Sequence, residues 1–250
     1  DVISFDVFDT LLLRPFAEPH HLFMVVGDKL DCVNFMSIRM KAEKEARDRA
    51  EVMKGNREVS IYDIYEFIEQ KTGIQGQYGV QAEWQTELEV CYANPYMKDV
   101  FEILKSQNKK IIAISDMYLT KSMIVQMLDK AGFGGFFDVF VSSENNGSKQ
   151  DHQLFKKALQ KLGKDIRIVH VGENIESDIK SAQELGLAAR YYNNVHKTGN
   201  QYRADGMSEL IASTYSGIVN MHLHNGSKQY TPYYEYGFIY GGLYILGYCK

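Results

Sequence analysis

The residues of this chain best placed for chemistry stand where apolar runs end or where the following helix begins. They are Asp6, Ser115, Lys149 and the acidic pair Glu173 and Asp178. Singly, each fits a plain structural role, because an Asp after a strand often forms a turn or caps a helix and a lone Lys is usually solvated. Their order along the chain and their shared context favour a functional site.

The elements that must position these residues alternate between strands and helices. The predicted strands cover residues 2–5, 110–115, 137–142, 166–171 and 188–192, and the helices between them cover 95–106, 120–130, 151–162 and 177–185. This alternation predicts right-handed crossovers and an α/β fold with a doubly wound parallel sheet. Ligands bind at the carboxyl ends of strands in such sheets, so the residues named above are expected to meet there.

The segment after the first strand has a helical period and no strand signal. Helices are predicted over residues 20–30, 33–54, 61–72 and 80–92. Ser60 and Asp63 have the spacing of a capping box at the start of the third helix. An all-helical block is therefore expected between the first strand and the rest of the sheet.

These patterns divide the chain into three predicted parts. They are an α/β core over 1–16 and 93–195, a helical insertion over 17–92, and a Tyr- and Gly-rich C-terminal extension over 196–250. One helix is expected in the extension, over 206–215, and the sequence does not indicate its role.

Four motifs in order give the chain a family resemblance. They are residues 5–12 (FDVFDTLL), 114–116 (ISD), 148–151 (SKQD), and 171–173 (VGE) followed by Asp178. This set resembles the haloacid dehalogenase superfamily of aspartate-nucleophile hydrolases, over residues 1–14 and about 94–192. The resemblance implies a Rossmann-like core and a helical cap that closes over the active site.

The resemblance also implies a role for each candidate residue. Asp6 would be the nucleophile and a Mg²⁺ ligand, the backbone carbonyl of Phe8 a second ligand and Glu173 a third, with Asp178 in support. A carboxylate that attacks phosphorus forms an acyl phosphate, and a hard cation screens the two anionic groups as they approach.

Two further residues complete the implied phosphoryl site. Ser115 and Lys149 would hold and neutralise the phosphoryl oxygens by preorganised electrostatics. The predicted function is Mg²⁺-dependent phosphoryl transfer or hydrolysis, with a small phosphorylated metabolite or a sugar phosphate as substrate.

The chain departs from the phosphatase pattern at one position. Two residues after the nucleophile, where phosphatases of the superfamily have an Asp that acts as general acid and base, this chain has Phe8. General acid–base help is typically worth ~10²- to 10⁴-fold, so hydrolysis of ordinary phosphate esters is expected to be impaired. A substrate with a good leaving group, such as an acyl phosphate or a nucleoside diphosphate, and a catalytically weak phosphate-binding domain both remain open.

An aromatic residue at this position also occurs in the haloacid dehalogenases, which displace halide without a metal. Two features argue against dehalogenation: Asp116 stands where those enzymes have an Asn, and the acids Glu173 and Asp178 would repel a carboxylate substrate without a cation.

The first motif narrows the resemblance further. The run SFDVFDTLL over residues 4–12 is similar to a bacterial branch often joined to glycosyltransferases in surface-polysaccharide synthesis. A glycosyltransferase partner or fused domain is therefore an expected associate.

The predicted insertion carries one candidate for substrate binding. Arg39, Glu43 and Arg47 recur every four residues and share one helix face, so the two guanidiniums could point into the cleft and grip an anionic substrate. The alternative is an intrahelical ion-pair ladder on a solvated face.

Composition excludes several classes of protein. The formal charge of −4 gives no positive field for nucleic acid or anionic lipid. No apolar run reaches the ~18 to 20 residues of a membrane span. The cysteines Cys32, Cys91 and Cys249 lack metal-site spacing and predict a reducing compartment, which we take to be the cytoplasm.

Overall fold

A parallel sheet forms the centre of the molecule. The computed structural model describes residues 1–163, 166–198 and 208–224. The strands within them are β1 (Val2–Phe5), β2 (Leu12–Leu13), β3 (Tyr92–Ala93), β4 (Lys110–Ser115), β5 (Asp138–Val141), β6 (Ile168–Gly172) and β7 (Ala188–Tyr191). Five of these form the sheet in the order β5-β4-β1-β6-β7, and all its pairings are parallel. The predicted doubly wound α/β fold is confirmed.

Helices cover the sheet and fill the insertion. They are α1 (Leu22–Lys29), α2 (Phe35–Lys54), α3 (Ile61–Thr72), α4 (Gly76–Val90), α5 (Pro95–Ser106), α6 (Lys121–Lys130), α7 (Ser142–Asn145), α8 (Gln153–Leu162), α9 (Ser181–Glu184), α10 (Val195–Thr198) and α11 (Glu209–His224). A 3-10 turn at Pro19–His21 precedes α1, and a π-helical turn at Ile175–Lys180 leads into α9.

The core lies on both faces of the sheet. Along β4, Ile111 and Ala113 belong to the apolar cluster that contains residues of α5 and α6. Ile112 and Ile114 point the other way, into a second cluster with residues of α8 and α9. Burial on both faces explains why β4 is almost continuously apolar in sequence.

The helices α1–α4 are inserted between β2 and β3. These two short strands pair antiparallel, with Leu12 opposite Ala93 and Leu13 opposite Tyr92. The two ends of the insertion are therefore held together where it leaves the core. The sequence did not predict this pair, because each strand has only two residues and period-two alternation needs more.

Local capping follows the sequence closely. The Ser60 hydroxyl accepts a hydrogen bond from the Asp63 backbone, and the Asp63 carboxylate accepts one from the Ser60 N–H, which confirms the capping box of α3. Asn94 caps α5 and Pro95 occupies its first turn. Both cap types satisfy backbone N–H groups that the helix itself leaves unpaired.

Helix α4 begins earlier than the pattern predicts, at Gly76 and not at residue 80. The first turns of α4 approach α3 closely, and a Cβ at Gly79 would lie 2.3 Å from the Tyr65 ring. Contact with Tyr65 therefore compensates for the low helix propensity of glycine.

The C-terminal extension contributes helix α11, which is displaced towards the C-terminus relative to the predicted 206–215. It packs on the segment that joins the core to the insertion, where Ala17 N–H donates to the Ser213 carbonyl at 3.0 Å. At Gly217 a Cβ would lie 2.3 Å from the Pro15 carbonyl oxygen, so only glycine allows this approach. Residues 199–207 and 225–250 of the extension lie outside the described residues.

Among the helices of the described ranges, none combines the length and the apolar character needed to cross a lipid bilayer. Cys32 and Cys91 are free thiols, and Cys249 lies outside the described residues.

Candidate active site

The predicted site residues converge because their strands are neighbours. In the sheet, Phe5 is in register with Ala113 of β4 on one side and with Val171 of β6 on the other. Asp6, which follows Phe5, therefore shares the carboxyl edge of the sheet with Ser115 and with the loop after β6. Lys149, from the loop before α8, reaches the same place.

The centre of the site is a lysine shared by two carboxylates. The Lys149 ammonium lies 2.5 Å from Asp6 Oδ1 and 2.6 Å from Asp178 Oδ1. All three side chains are buried. Burial alone would lower the pKa of Lys149, but the nearby carboxylates of Asp178 and Asp6 raise it above its ordinary value. The lysine is therefore a fixed positive charge between the acids.

Asp6 is the less strongly stabilised of the two acids. Its other oxygen, Oδ2, accepts a hydrogen bond from the Thr10 hydroxyl at 3.1 Å. Burial raises the pKa of Asp6 from 3.8 to about 7, with Lys149 opposing and Asp178 adding to this shift. A buried carboxyl group with a pKa shifted this far and a specific charged partner is typical of a functional site.

Asp178 is held at both oxygens. Its Oδ2 accepts the Asn174 N–H at 2.9 Å, and its Oδ1 accepts from Lys149 and contacts His170 Nε2 at 3.2 Å. Burial would raise the pKa of Asp178, but Lys149 and His170 hold it well below its usual range. Gly172 makes the position possible, because a Cβ there would lie 2.3 Å from Asp178 Cγ.

The second motif supports the lysine through its backbone. Asp116 Oδ1 accepts a hydrogen bond from the Lys149 N–H at 2.8 Å, which ties the loop after β4 to the loop before α8. Burial raises the pKa of Asp116 above its ordinary value. Ser115 is buried at the end of β4, on the same edge as Asp6.

Glu173 points to a different partner. Its Oε2 accepts from the Lys197 ammonium at 2.6 Å and from the Asn194 amide at 3.3 Å. The structure thus brings Asp6, Lys149 and Asp178 together and places Glu173 beside them with its own lysine.

The predicted Mg²⁺ would need several hard oxygen ligands close together. Within the described ranges, no group of at least three His, Cys, Asp or Glu side chains is arranged to hold a metal ion. The carboxylates of Asp6 and Asp178 and the backbone carbonyl of Phe8 are nevertheless hard oxygen donors of the type that Mg²⁺ prefers. Asp6 and Asp178 share one lysine, so an added positive charge would be favourable beside them. The role of these residues as Mg²⁺ ligands stays a prediction.

Phe8 stands in the acid position as an aromatic ring packed under a guanidinium. Arg14 Cζ lies 4.4 Å from the centre of the Phe8 ring. Arg14 is in turn paired with Glu87 of α4, with Nη2 to Oε1 at 2.6 Å and Nε to Oε2 at 2.9 Å. The position offers no proton donor, and its cationic neighbour already has a carboxylate partner.

The structure does not place Arg39 where the sequence suggested. Its side chain is fully buried, and its Nε and Nη2 donate to the two oxygens of Glu83 at 2.7 and 2.9 Å. The guanidinium carbon also lies 4.5 Å from the Phe23 ring and 4.6 Å from the Tyr118 ring. Arg39 therefore faces neither a cleft nor solvent.

A sequence signal for this burial exists. The buried residues of α2 are Phe35, Arg39, Ala42, Ala46 and Ala50, and this spacing places the arginine on the apolar stripe of the helix.

Arg47, in contrast, matches the alternative of a surface ion-pair ladder. Its side chain is 28% exposed, and Nη2 lies 2.8 Å from Glu43 Oε1. Its Nη1 also donates to the Arg57 carbonyl at 3.0 Å. Glu43 pairs with Arg39 as well, at 2.9 Å, so it links the buried and the exposed arginine.

Sequence reasoning missed four residues around the site: Thr10, His170, Asn194 and Lys197. His170 had a visible signal, since it is a polar residue in the middle of the apolar strand IVHVG. The others lie in loops or at a helix end, where no periodicity marks a partner.

The geometry agrees with a comparison to known families. A family model described as haloacid dehalogenase-like hydrolase matches residues 1–186. This chain therefore belongs to the haloacid dehalogenase-like hydrolases.

Two curated relatives act on phosphorylated compounds, as their names state. The chain is 30% identical over 135 residues to the glyceraldehyde 3-phosphate phosphatase of Methanocaldococcus jannaschii, covering 50% of this chain and 58% of that protein. It is 29% identical over 112 residues to the pyrimidine 5'-nucleotidase YjjG of Escherichia coli, covering 44% of this chain and 48% of that protein. The chain thus spans about half the length of these relatives.

Solved structures share the fold at low identity. The HAD-hydrolase YfnB of Bacillus subtilis, solved with bound magnesium, is 14% identical with a TM-score of 0.55, over 76% of this chain and 87% of that chain. Haloacid dehalogenases are also among the solved structures with this fold.

Proposed function

We propose that this chain is a Mg²⁺-dependent phosphohydrolase that acts on a small phosphorylated metabolite through an aspartyl-phosphate on Asp6. The observation that carries the proposal is the sharing of Lys149 between Asp6 and Asp178 at the carboxyl edge of the sheet. Membership of a hydrolase family and two phosphatase relatives support the choice of phosphate over halide chemistry.

In the first step, Asp6 attacks the phosphorus atom, a bond forms between its carboxylate oxygen and phosphorus, and the bond to the leaving oxygen breaks. In the second step, a water oxygen bonds to the same phosphorus and the bond to Asp6 breaks, which restores the carboxylate and releases phosphate that carries the protons of the water. Lys149 and Ser115 hold the phosphoryl oxygens in both steps, because each lies on the same edge as Asp6.

Mg²⁺ would be held by Asp6, the Phe8 carbonyl, Glu173 and Asp178, and when bound it would neutralise the charge between nucleophile and phosphoryl group. Glu173 must then exchange its contact with Lys197 for the cation. That lysine is exposed, so the ion pair to be given up is weak.

The missing proton donor defines the substrate class. Phe8 supplies no proton to a leaving group, and its neighbour Arg14 is paired with Glu87. Substrates whose leaving group needs no protonation, such as acyl phosphates and nucleoside diphosphates, are therefore favoured over alkyl phosphates.

We also infer the role of each part of the chain. Helices α1–α4 would act as the cap, on a core formed by 1–16 and 93–195, with 196–250 as an extension. The run SFDVFDTLL supports a role in bacterial surface-polysaccharide synthesis, in the cytoplasm, with a glycosyltransferase as partner or fused domain.

The test is a substrate panel with wild type, Asp6→Asn and the exposed control Asp129→Asn, at millimolar Mg²⁺. The panel contains an aryl phosphate, an acyl phosphate, nucleoside diphosphates and sugar phosphates, with halide release from a 2-haloacid as a separate assay. Turnover of a phosphate compound that is lost only in Asp6→Asn is expected.

A second candidate function is a phosphate-binding domain without efficient turnover, which the aromatic ring of Phe8 favours. Equal background activity in all three proteins, with measurable binding of inorganic phosphate, would support this candidate and contradict the hydrolase. Halide release dependent on Asp6 would indicate a dehalogenase.

A further inference from the structure

A chain of buried polar side chains runs from the middle of the sheet to the candidate active site. Ser4 of β1 and His170 of β6 are register neighbours, and Ser4 Oγ lies 2.9 Å from His170 Nδ1. The other ring nitrogen, Nε2, lies 3.2 Å from Asp178 Oδ1. Ser4 and His170 are both fully buried.

These two polar residues occupy positions that the sheet otherwise gives to apolar side chains. Val2 and Ile168, two residues before Ser4 and His170, belong to the apolar cluster on this face. The Phe155 ring packs edge-on against His170 with centroids 4.9 Å apart. A buried polar pair in such surroundings costs free energy unless each group is hydrogen-bonded.

The partners fix the direction of each hydrogen bond. Asp178 is a carboxylate and can only accept, so His170 must donate through Nε2–H. In the neutral ring Nδ1 is then the acceptor, and the Ser4 hydroxyl donates to it. The network therefore selects one neutral tautomer of the ring.

Asp178 connects the His170 ring to Lys149 and Asp6. Its Oδ2 is held by the Asn174 N–H and its Oδ1 by His170, so the carboxylate plane is fixed. The same Oδ1 accepts from Lys149, whose ammonium also contacts Asp6.

We propose that His170, oriented by Ser4, is a positioning residue that fixes Asp178 and thereby places Lys149 beside Asp6. The proposal rests on the proposed function for the role of Lys149 and Asp6. His170 acts only through Asp178 and touches no substrate. Partners of this kind, one contact behind the reacting groups, typically change activity or metal affinity by ~10- to 100-fold when they are removed.

Three variants separate positioning from simple packing. His170→Leu removes the donor to Asp178 and keeps the site apolar. His170→Gln keeps an N–H donor about as far from the backbone as Nε2. Ser4→Ala leaves the ring but removes the group that orients it. Thr86→Val is the control, because Thr86 is fully buried, its hydroxyl bonds only the Ala82 carbonyl, and it lies in α4.

Two measurements apply to each folded variant: kcat and KM with the best phosphate compound of the panel, and binding of inorganic phosphate with Mg²⁺ by calorimetry. We expect His170→Leu to lower kcat ~10- to 100-fold with a smaller change in KM, and to weaken phosphate binding. His170→Gln should recover most of the loss, Ser4→Ala should lose less than His170→Leu, and Thr86→Val should match wild type.

A third measurement does not depend on turnover. Nitrogen NMR of histidine-labelled wild type should show the His170 ring as the neutral Nε2–H tautomer, with its signal shifted in Ser4→Ala. An Nδ1–H tautomer overturns the proposal, and so does a folded His170→Leu with unchanged kcat and unchanged phosphate binding. If wild type turns over nothing but binds phosphate, the hydrolase proposal fails, and the binding and NMR data alone decide the positioning role.

Discussion

Two buried charge clusters, one in the core and one in the insertion, are built in opposite ways. In the insertion, Glu83 receives two hydrogen bonds from Arg39, and the Tyr65 hydroxyl donates to the same carboxylate at 2.9 Å. In the core, Lys149 is divided between Asp6 and Asp178, so two acids share one cation.

The difference appears in the pKa values of the acids. Burial alone would raise the pKa of Glu43, beside Arg39, but the two arginines outweigh burial and lower it. At Asp6 burial dominates and raises the pKa to about 7. The insertion cluster has as many arginines as acids and holds the fold together, whereas the core cluster is short of positive charge and is suited to bind a cation.

The first test removes the carboxylate of Asp6, the proposed nucleophile. Asp6→Asn should reduce turnover by about 10³-fold or more, because no other described carboxylate occupies its place at the end of β1. The fold should be retained, since Lys149 keeps Asp178 as partner. Steady-state kinetics and urea unfolding give the two readouts. Residual activity within about 10-fold of wild type would show that the core cluster is not the reaction centre.

The second test removes the negative charge from the buried Arg39–Glu83 ion pair of the insertion. Glu83→Gln leaves the Arg39 guanidinium buried without its full counter-charge, and we expect a loss of about 3 to 5 kcal/mol in the free energy of unfolding. The double variant Arg39→Met with Glu83→Leu should recover part of this loss, because an apolar pair needs no counter-charge, although the Tyr65 hydroxyl also loses its acceptor. Urea unfolding measures both, and a loss below about 1 kcal/mol in Glu83→Gln would place this pair among the weak ones.

The third test asks whether the absence of a proton donor at Phe8 limits turnover. Phe8→Asp should raise hydrolysis of an alkyl phosphate more than that of an activated aryl phosphate, since the poorer leaving group gains more from protonation. The gain should stay below the full ~10²-fold of an acid catalyst, because Arg14 lies against this position and favours the ionised form. No gain with either substrate would indicate that pocket geometry limits the reaction.

The fourth test measures how the free energy of unfolding depends on pH through Glu43 of the insertion cluster. The pKa of Glu43 is lowered below its ordinary 4.5, so its ion pairs add stability that is fully present above pH 4.5. That stability is lost as pH falls below 4.5 through the pKa of the folded state. In urea unfolding at a series of pH values, the free energy of unfolding should fall less steeply below pH 4.5 for Glu43→Gln than for wild type. Glu66→Gln serves as an exposed control. Identical acid limbs in wild type and Glu43→Gln would contradict the linkage.

The smallest effect is expected at the exposed end of the same cluster. Arg47→Ala removes an i,i+4 pair with Glu43, and such pairs contribute about 0.3 to 0.5 kcal/mol. Binding of phosphate compounds should be unchanged, as measured by calorimetry. A tenfold loss of affinity would return Arg47 to the role of a substrate contact.

The sequence by itself determined the fold class and the sheet edge on which the candidate site residues lie. Alternating strand and helix periods fix a parallel sheet, and apolar runs that end in Asp6 and Ser115 deliver these residues to one edge, because parallel strands end together. The capping of α3 by Ser60 is local in the same sense, since its partner Asp63 is three residues away.

Only the tertiary structure decided which charges meet. Lys149 is 143 residues from Asp6 and 29 from Asp178, so no local pattern links them. Arg39 lies on the same helix as its predicted ladder partners, yet its main partner is Glu83, 44 residues further on. Periodicity gives the face on which a side chain lies, but which element covers that face follows from packing, and a buried arginine is possible only where a carboxylate from another helix meets it.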